Sequence, residues 1–397
     1  DVDTDGFNVC MDKQRAESRK SWSGAGGSFT DKIWFDLLER CGATEFLGYD
    51  RDMTQAEIRA IVKDGSEMKN ARMGDTVQVI VNQTPFYAES GGQVRDMGTI
   101  ISDDGLKAIV TDTQKVAGSL FVHTARIEKG ELIVGQTVHL SIDTDRRTAI
   151  RSNHSSTHLL HEALRRVLGD HVAQKGSRQD EMRTRFDIAH SAPLTDDEIR
   201  AVETFVNAEI LANTPVETRI LSIDDAMESG AMALFGEKYG DEVRVVYMGR
   251  ADDKGNKPFS VELCGGTHTS AVGNIGYFRI LKEGSIAAGI RRIEAVTGKE
   301  AESFSRDQEN VLLHIGQTLK VPVIQIQERL DKLLQENRQL EQELNAIRTN
   351  QLRQVVESLL SQVNEVQGLK FIVAESSLSM EDLRQCVDMA AEGLGSG

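Results

Sequence analysis

The chain has 397 residues, 39% of them hydrophobic, with 62 Asp/Glu against 46 Lys/Arg and a formal net charge of -16. That length accommodates roughly two to four domains. No apolar run approaches the length of a membrane span and no signal-peptide pattern is read, so a soluble globular protein is expected, and the negative balance argues against non-specific coating of nucleic acid.

The four cysteines, at 10, 41, 264 and 386, show no disulfide-like spacing. A reducing, cytoplasmic setting fits them. The chain begins at Asp1 rather than Met and reads as part of a larger protein. Charge is uneven: residues 146–185 carry nine Lys/Arg against four Asp/Glu, and residues 299–397 ten against sixteen. A basic zone suits a phosphate-bearing substrate, or is a solvated helix face.

Taken in chain order, residues 1–72 read as helical. Phe7, Val9, Met11 and Ala16 precede a Gly/Ser-rich break at 21–29. A second helix fits 31–41 and a third fits 54–62, the latter opened by Thr54 and Glu57 at capping-box spacing. From 75 to about 145 the period changes to two. Short β-rich runs at 76–81, 98–102, 107–113, 120–127 and 138–142, separated by turn signals, predict a small β-barrel over 73–148.

A helix is predicted from about 152 to 169, then a strand at 182–188 and a helix opened by the Thr195/Glu198 capping box. Strands at 215–220, 243–248, 260–263, 276–281 and 291–296, with a helix near 223–233, complete an α+β domain over 149–297. The remainder is helical. Ile326, Leu330, Leu333, Leu340, Leu344 and Ile347 follow a heptad seam with Asn337 as a polar step, predicting a coiled-coil arm over 298–368 closed by Gly368. A strand at 369–374 and a helix at 379–393 open a further globular segment, 369–397. The predicted fold class is therefore α+β and multidomain.

Two motifs carry chemistry. HSSTH places His154 and His158 at i and i+4 on one helix face. CGGTH places Cys264 and His268 four apart in a Gly-rich turn. Three imidazoles and a thiolate suit Zn2+ in tetrahedral geometry better than Mg2+ or Ca2+. His161 shares the helix face with His154, as a ligand, a supporting partner or a packed side chain. A metalloprotease would need Glu after the first His, where Ser155 stands.

Three further constellations have plainer readings beside their functional ones. Ala88 to Gln93 (AESGGQ) is a ligand-approaching loop or a barrel turn. Gln174-Lys175-Gly-Ser with Arg185 offers phosphate contacts and a water-orienting amide, or a salt-bridged β-turn. Arg291 and Arg292 hold phosphate or an acidic face.

Together, HSSTH, QKGS, RFDIAH, CGGTH and GIRRIEAVTG, in this order behind ESGGQ, resemble the editing region of the alanyl-tRNA synthetases. The likeness covers most of the chain. The first pair of motifs alone is shared with threonyl-tRNA synthetase editing domains and free-standing editing proteins; GGQ points to the alanyl group.

The resemblance implies hydrolysis of serine or glycine esters of tRNA(Ala), without an aminoacylation core. It implies His154, His158, Cys264 and His268 as zinc ligands. Thr157 and Gln174 would line the pocket, with Thr157 meeting the serine hydroxyl and Gln93 beside it. Lys175, Arg185, Arg291 and Arg292 would contact tRNA. Residues 1–72 would end a tRNA-recognition domain, and homo-oligomers would form through the C-terminal arm and domain. Two alternatives stay open: a free-standing editing protein, and a zinc-stabilised tRNA-binding or oligomerisation module without chemistry.

Overall fold

The structure is a computed structural model, and it describes residues 30–232, 240–251 and 257–394. The expected first helix and the Gly/Ser break lie outside these residues. The described residues up to Phe304 form one compact unit, and Ser305 onward a second.

The first unit opens with α1 (Thr30–Cys41), as expected. Then come β1 (Glu45–Phe46), β2 (Met53–Lys63), β3 (Ser66–Met68), β4 (Asn70–Arg72), β5 (Thr76–Val81) and β6 (Gln83–Thr84). The barrel continues with β7 (Gly98–Ile101), β8 (Lys107–Val116), β9 (Leu120–Lys129), β10 (Glu131–Ile133) and β11 (Thr137–Ile142).

The helix expected over 54–62 is therefore wrong: β2 occupies those residues, and of the expected helical segment 1–72 the described part is helical only over Thr30–Cys41. Thr54, Ala56 and Ile58 are buried while Gln55 and Glu57 turn out, a period of two; after a bulge Ile61 faces the barrel interior and Ala60 and Val62 pack on Trp34 and Leu37 of α1. The capping-box spacing is coincidental. Thr54 Oγ1 meets the Gln55 carbonyl and Gln83 Nε2, and Glu57 pairs with Arg59.

Six strands close the barrel in the order β11-β7-β8-β9-β5-β2, with β2 returning to β11 through pairs such as Thr137 with Glu57. Closure leaves no open edge among these six. The interior is apolar, with Ile58, Val79, Ile100, Val110, Ile127 and Leu140 all buried.

Next follow α2 (Thr144–Leu168), β12 (Gln174–Gln179), β13 (Thr184–Ala189), α3 (Asp196–Ala212), β14 (Glu217–Ser222) and α4 (Ile223–Glu228). The unit continues through β15 (Glu242–Ala251), β16 (Pro258–Leu263), β17 (Phe278–Ala287) and β18 (Ile290–Thr297). β12-β13-β18-β17 make one antiparallel sheet and β14-β15-β16 another. Leu159, Leu160 and Leu164 of α2 and Val202 and Val206 of α3 pack on Phe186, Ile188 and Ile293 of the first sheet. The Thr195/Glu198 capping box forms as expected. By contrast, α2 starts at Thr144 rather than near 152, because the Asp143 side chain accepts from Arg146 N and caps it earlier.

α2 is tied to the barrel by a buried pair. Arg147 Nε lies 2.9 Å from both Asp96 carboxylate oxygens, and Nη2 contacts the same group. Nη1 donates to the Gly48 carbonyl at 2.7 Å and Nη2 to the Pro85 carbonyl at 2.8 Å. A guanidinium so enclosed is tolerable because its donors are met.

α5 (Gly298–Leu319) runs from the first unit into the second. The second unit then contains α6 (Ile326–Leu360), β19 (Asn364–Val366), β20 (Leu369–Phe371) and α7 (Met380–Leu394). α6 ends at Leu360, so the arm does not run to Gly368. Gln367 and Gly368, both with positive φ, instead form the two-residue turn of the β19–β20 hairpin. Leu352 and Val356 of α6 pack against Cys386 of α7. Leu330, Leu340, Leu344 and Ile347 of the heptad seam are exposed. No helix among the described residues is long and apolar enough to cross a membrane.

Candidate metal centre

Asp143 starts α2 and its register then brings His154 and His158 to the side facing the turn after β16. That turn supplies Cys264 and His268. Their ligand atoms lie within 4.8 Å of one another. Cys264 Sγ is 3.4 Å from His154 Nε2 and 3.3 Å from His268 Nε2. In a tetrahedral zinc site sulfur and nitrogen ligands sit roughly 3.6 Å apart. A Cβ on Gly266 would overlap the His154 ring, so glycine lets the turn close over the site.

The Nδ1 atoms decide which nitrogens face inward. His154 Nδ1 donates to Gln93 Oε1 at 2.9 Å, which also receives Thr267 N at 2.8 Å. His158 Nδ1 donates to Glu262 Oε2 at 2.7 Å. His268 Nδ1 faces Ser155 Oγ at 3.2 Å. With Nδ1 engaged in each ring, Nε2 points to the centre as a ligand. His158 Nε2 is buried with no hydrogen-bond partner. An orphaned buried imidazole nitrogen beside a thiol and two more Nε2 atoms fits a metal ion.

The charges agree. Burial alone would push the Cys264 thiol up; the surrounding histidines outweigh it and hold the thiol well below its ordinary value. Burial pushes His268 down to about 3, leaving it neutral. Burial would raise Glu262 and lower His158, but their pairing prevails, holding the carboxyl at about 2 and the imidazole at about 10. A cation at the centre would replace the His158 Nε2 proton.

This geometry coincides with a clear family signal. The model of tRNA synthetases class II (A) matches residues 1–146, and that of the threonyl and alanyl tRNA synthetase second additional domain matches residues 243–294, which include Cys264 and His268. The alanine–tRNA ligase of Sinorhizobium medicae (strain WSM419) is 46% identical over 402 residues, covering 100% of this chain. That of Mesorhizobium japonicum is 47% identical over 401 residues, again covering the whole chain. The chain belongs to the alanyl-tRNA synthetase family. It spans 45% of the length of these relatives.

In this member of the alanyl-tRNA synthetase family, the other expected residues fall into three groups. Gln93 is fully buried and bridges barrel and cluster, donating through Nε2 to Thr267 Oγ1 at 2.8 Å. Thr157 is buried one turn from His154 and donates to the Asn153 carbonyl at 2.8 Å, with Thr184 Oγ1 at 2.6 Å and Gln179 Nε2 at 3.5 Å. Gln174 lies apart, half-buried at the start of β12 opposite Ile188.

The four basic residues divide likewise. Arg291 pairs with Glu283 and Arg292 is bidentate to Asp187, at 2.7 and 2.8 Å, so both serve ion pairs within the sheet. Lys175 is exposed. Arg185 lines a cavity of about 280 Å³ with Gly91, Gly92 and Ser177, and its Nε is buried without a partner.

Glu262, Ser155 and Thr267 went unforeseen. Glu262 left a trace: a carboxylate within the apolar run 258–263, two residues before Cys264. His161 is not among the four clustered residues. Its Nδ1 shares Glu262 at 2.9 Å, making it a supporting partner of that carboxylate.

Proposed function

We propose that this segment hydrolyses serine or glycine wrongly esterified to tRNA(Ala), with Zn2+ held by His154, His158, Cys264 and His268. The observation that carries the reading is the four-residue cluster, each imidazole fixed through Nδ1, inside a chain matched end to end by alanine–tRNA ligases. Matches of that extent favour a synthetase segment over a free-standing editing protein. A cytoplasmic setting follows from the same reading.

Bound there, Zn2+ would supply a Lewis acid that orients or polarises the ester. The protein groups do the rest. Gln93 and Glu262 hold two imidazoles in the ligating tautomer. The Thr157 proton goes to the Asn153 carbonyl and its oxygen accepts from Thr184 Oγ1 at 2.6 Å, so a serine hydroxyl would be recognised by taking the place of one of these partners. Alanine has no hydroxyl to make that exchange, which is the physical basis for rejecting the correct amino acid. Lys175 and Arg185, on the basic side of the domain, are assigned to the tRNA backbone. Gln174 is assigned to a moving water or the pocket rim. Neither Arg291 nor Arg292 is freed for tRNA without breaking its ion pair.

The test is incubation of the zinc-loaded chain with seryl-tRNA(Ala), following release of serine. Release faster than the spontaneous rate, absent in Cys264→Ala, supports the reading. An unchanged ester half-life with zinc bound leaves a non-catalytic tRNA-binding module.

A further inference from the structure

Two histidines take no part in the cluster or in the reading above. His171 stands in the turn between α2 and β12, and His190 ends the RFDIAH motif just after β13. Neither is among the four clustered residues. His171 Nε2 and His190 Nδ1 face one another at 2.9 Å, with ring centroids 5.2 Å apart and planes 26° apart. One ring donates its N–H to the other, so one of the two facing nitrogens already presents a lone pair. His171 is exposed and His190 half-buried, so the pair is open to solvent.

Backbone contacts hold both rings in place. Arg165 Nη1 donates to the carbonyls on either side of His171, Asp170 at 2.9 Å and Val172 at 3.1 Å. Ala189 N donates to the Ala173 carbonyl at 2.9 Å, tying the two segments together, and His190 N donates to the Gly289 carbonyl at 3.0 Å. Imidazoles fixed this way lose little freedom when one atom binds both. The surroundings favour a cation. Asp170 adjoins His171, with one carboxylate oxygen paired to Arg165. Glu198, at the start of α3, is held below its ordinary value by the Thr195 N–H and hydroxyl and also by the charge of His190. Imidazole donors select Cu2+, Ni2+ and Zn2+ over Mg2+ and Ca2+. Tetrahedral zinc sets two ligand nitrogens roughly 3.3 Å apart, close to the present separation.

We propose that His171 and His190 form a second transition-metal site, built from none of the four cluster residues, with two imidazole ligands and water in the remaining positions. The ion takes the place of the proton shared between the rings, which is released to solvent. With two protein ligands the site binds more weakly than the cluster, and it clasps the α2–β12 turn to the end of β13. It is independent of the editing reading.

The probe is Zn2+ alone, in equilibrium dialysis of the full chain, with the 15N imidazole resonances followed on the same samples. A second zinc ion should bind after the cluster fills. The His171 and His190 ring nitrogens should shift with it, while those of the exposed His139 and His314 stay in place. His171→Ala and His190→Ala should each weaken the second ion and leave the first. Removing a ligand should cost at least the about 10- to 100-fold that follows loss of a ligand's outer partner. A single zinc per chain up to about 1 mM free zinc overturns the proposal. So does a second ion whose affinity is unchanged in His171→Ala with its circular dichroism intact. Where a variant does not fold, the unaltered chain decides: two bound zinc ions with unmoved His171 and His190 rings overturn the proposal. Serine release is not read, so failure of the editing reading leaves this site standing.

Discussion

Gln93 of the barrel and His154 of α2 are joined by a 2.9 Å hydrogen bond, so a ligand-bearing helix takes its imidazole orientation from a separate closed barrel. Gln93→Leu removes the acceptor for both His154 Nδ1 and Thr267 N. Metal affinity, read by competition with a chromophoric chelator, should fall about 10- to 100-fold. Gly266→Ala, which drives a methyl into the His154 ring, should cost at least as much.

Glu262 serves His158 and His161 at once. Glu262→Gln keeps the shape but removes the charge that holds the His158 Nδ1 proton. Zinc should be lost at about 10- to 100-fold lower chelator concentration. Circular dichroism of the zinc-loaded variant should stay unchanged. Unaltered zinc affinity would show that the carboxylate only packs.

The Asp96–Arg147 pair is a stability element. Asp96→Ala leaves a fully buried guanidinium without its carboxylate and should cost about 3–5 kcal/mol in urea unfolding. Replacing both residues with apolar side chains should recover much of that loss.

His123 sets a pH dependence. Its Nδ1 donates to the Val79 carbonyl at 3.1 Å, so Nε2 accepts from Thr84 Oγ1 at 2.8 Å and the ring is neutral. Burial pushes its pKa down to about 4 from an ordinary 6.5. Between these values the unfolded chain binds the extra proton. Stability is therefore fully present above pH 6.5 and falls as pH drops towards 4, by about 3 kcal/mol from this group. His123→Leu should flatten that part of the urea midpoint against pH.

The clustering of His154, His158, Cys264 and His268 was legible because i, i+4 spacing on a helix and a CxxxH turn are local. The barrel was legible from its period of two. β2 was misread because Ala56 and Ala60 carry no strand signal, and Thr54/Glu57 imitates a cap until β11 and β5 pair on either side. Glu262 and Ser155 gain meaning only from contacts about 100 residues away in sequence. Phe46 of β1 stacks on Phe121 of β9, a relation no local spacing encodes. The basic pair Arg291/Arg292 read as a phosphate contact because Glu283 and Asp187, their partners, come from neighbouring strands.

The most direct measurement is the time course of serine release from seryl-tRNA(Ala) by the full chain, with zinc content determined on the same sample. One zinc per chain and release well above the spontaneous rate, both lost in Cys264→Ala, is the expected result. A stoichiometric zinc ion with no acceleration, or full acceleration in Cys264→Ala, would contradict it.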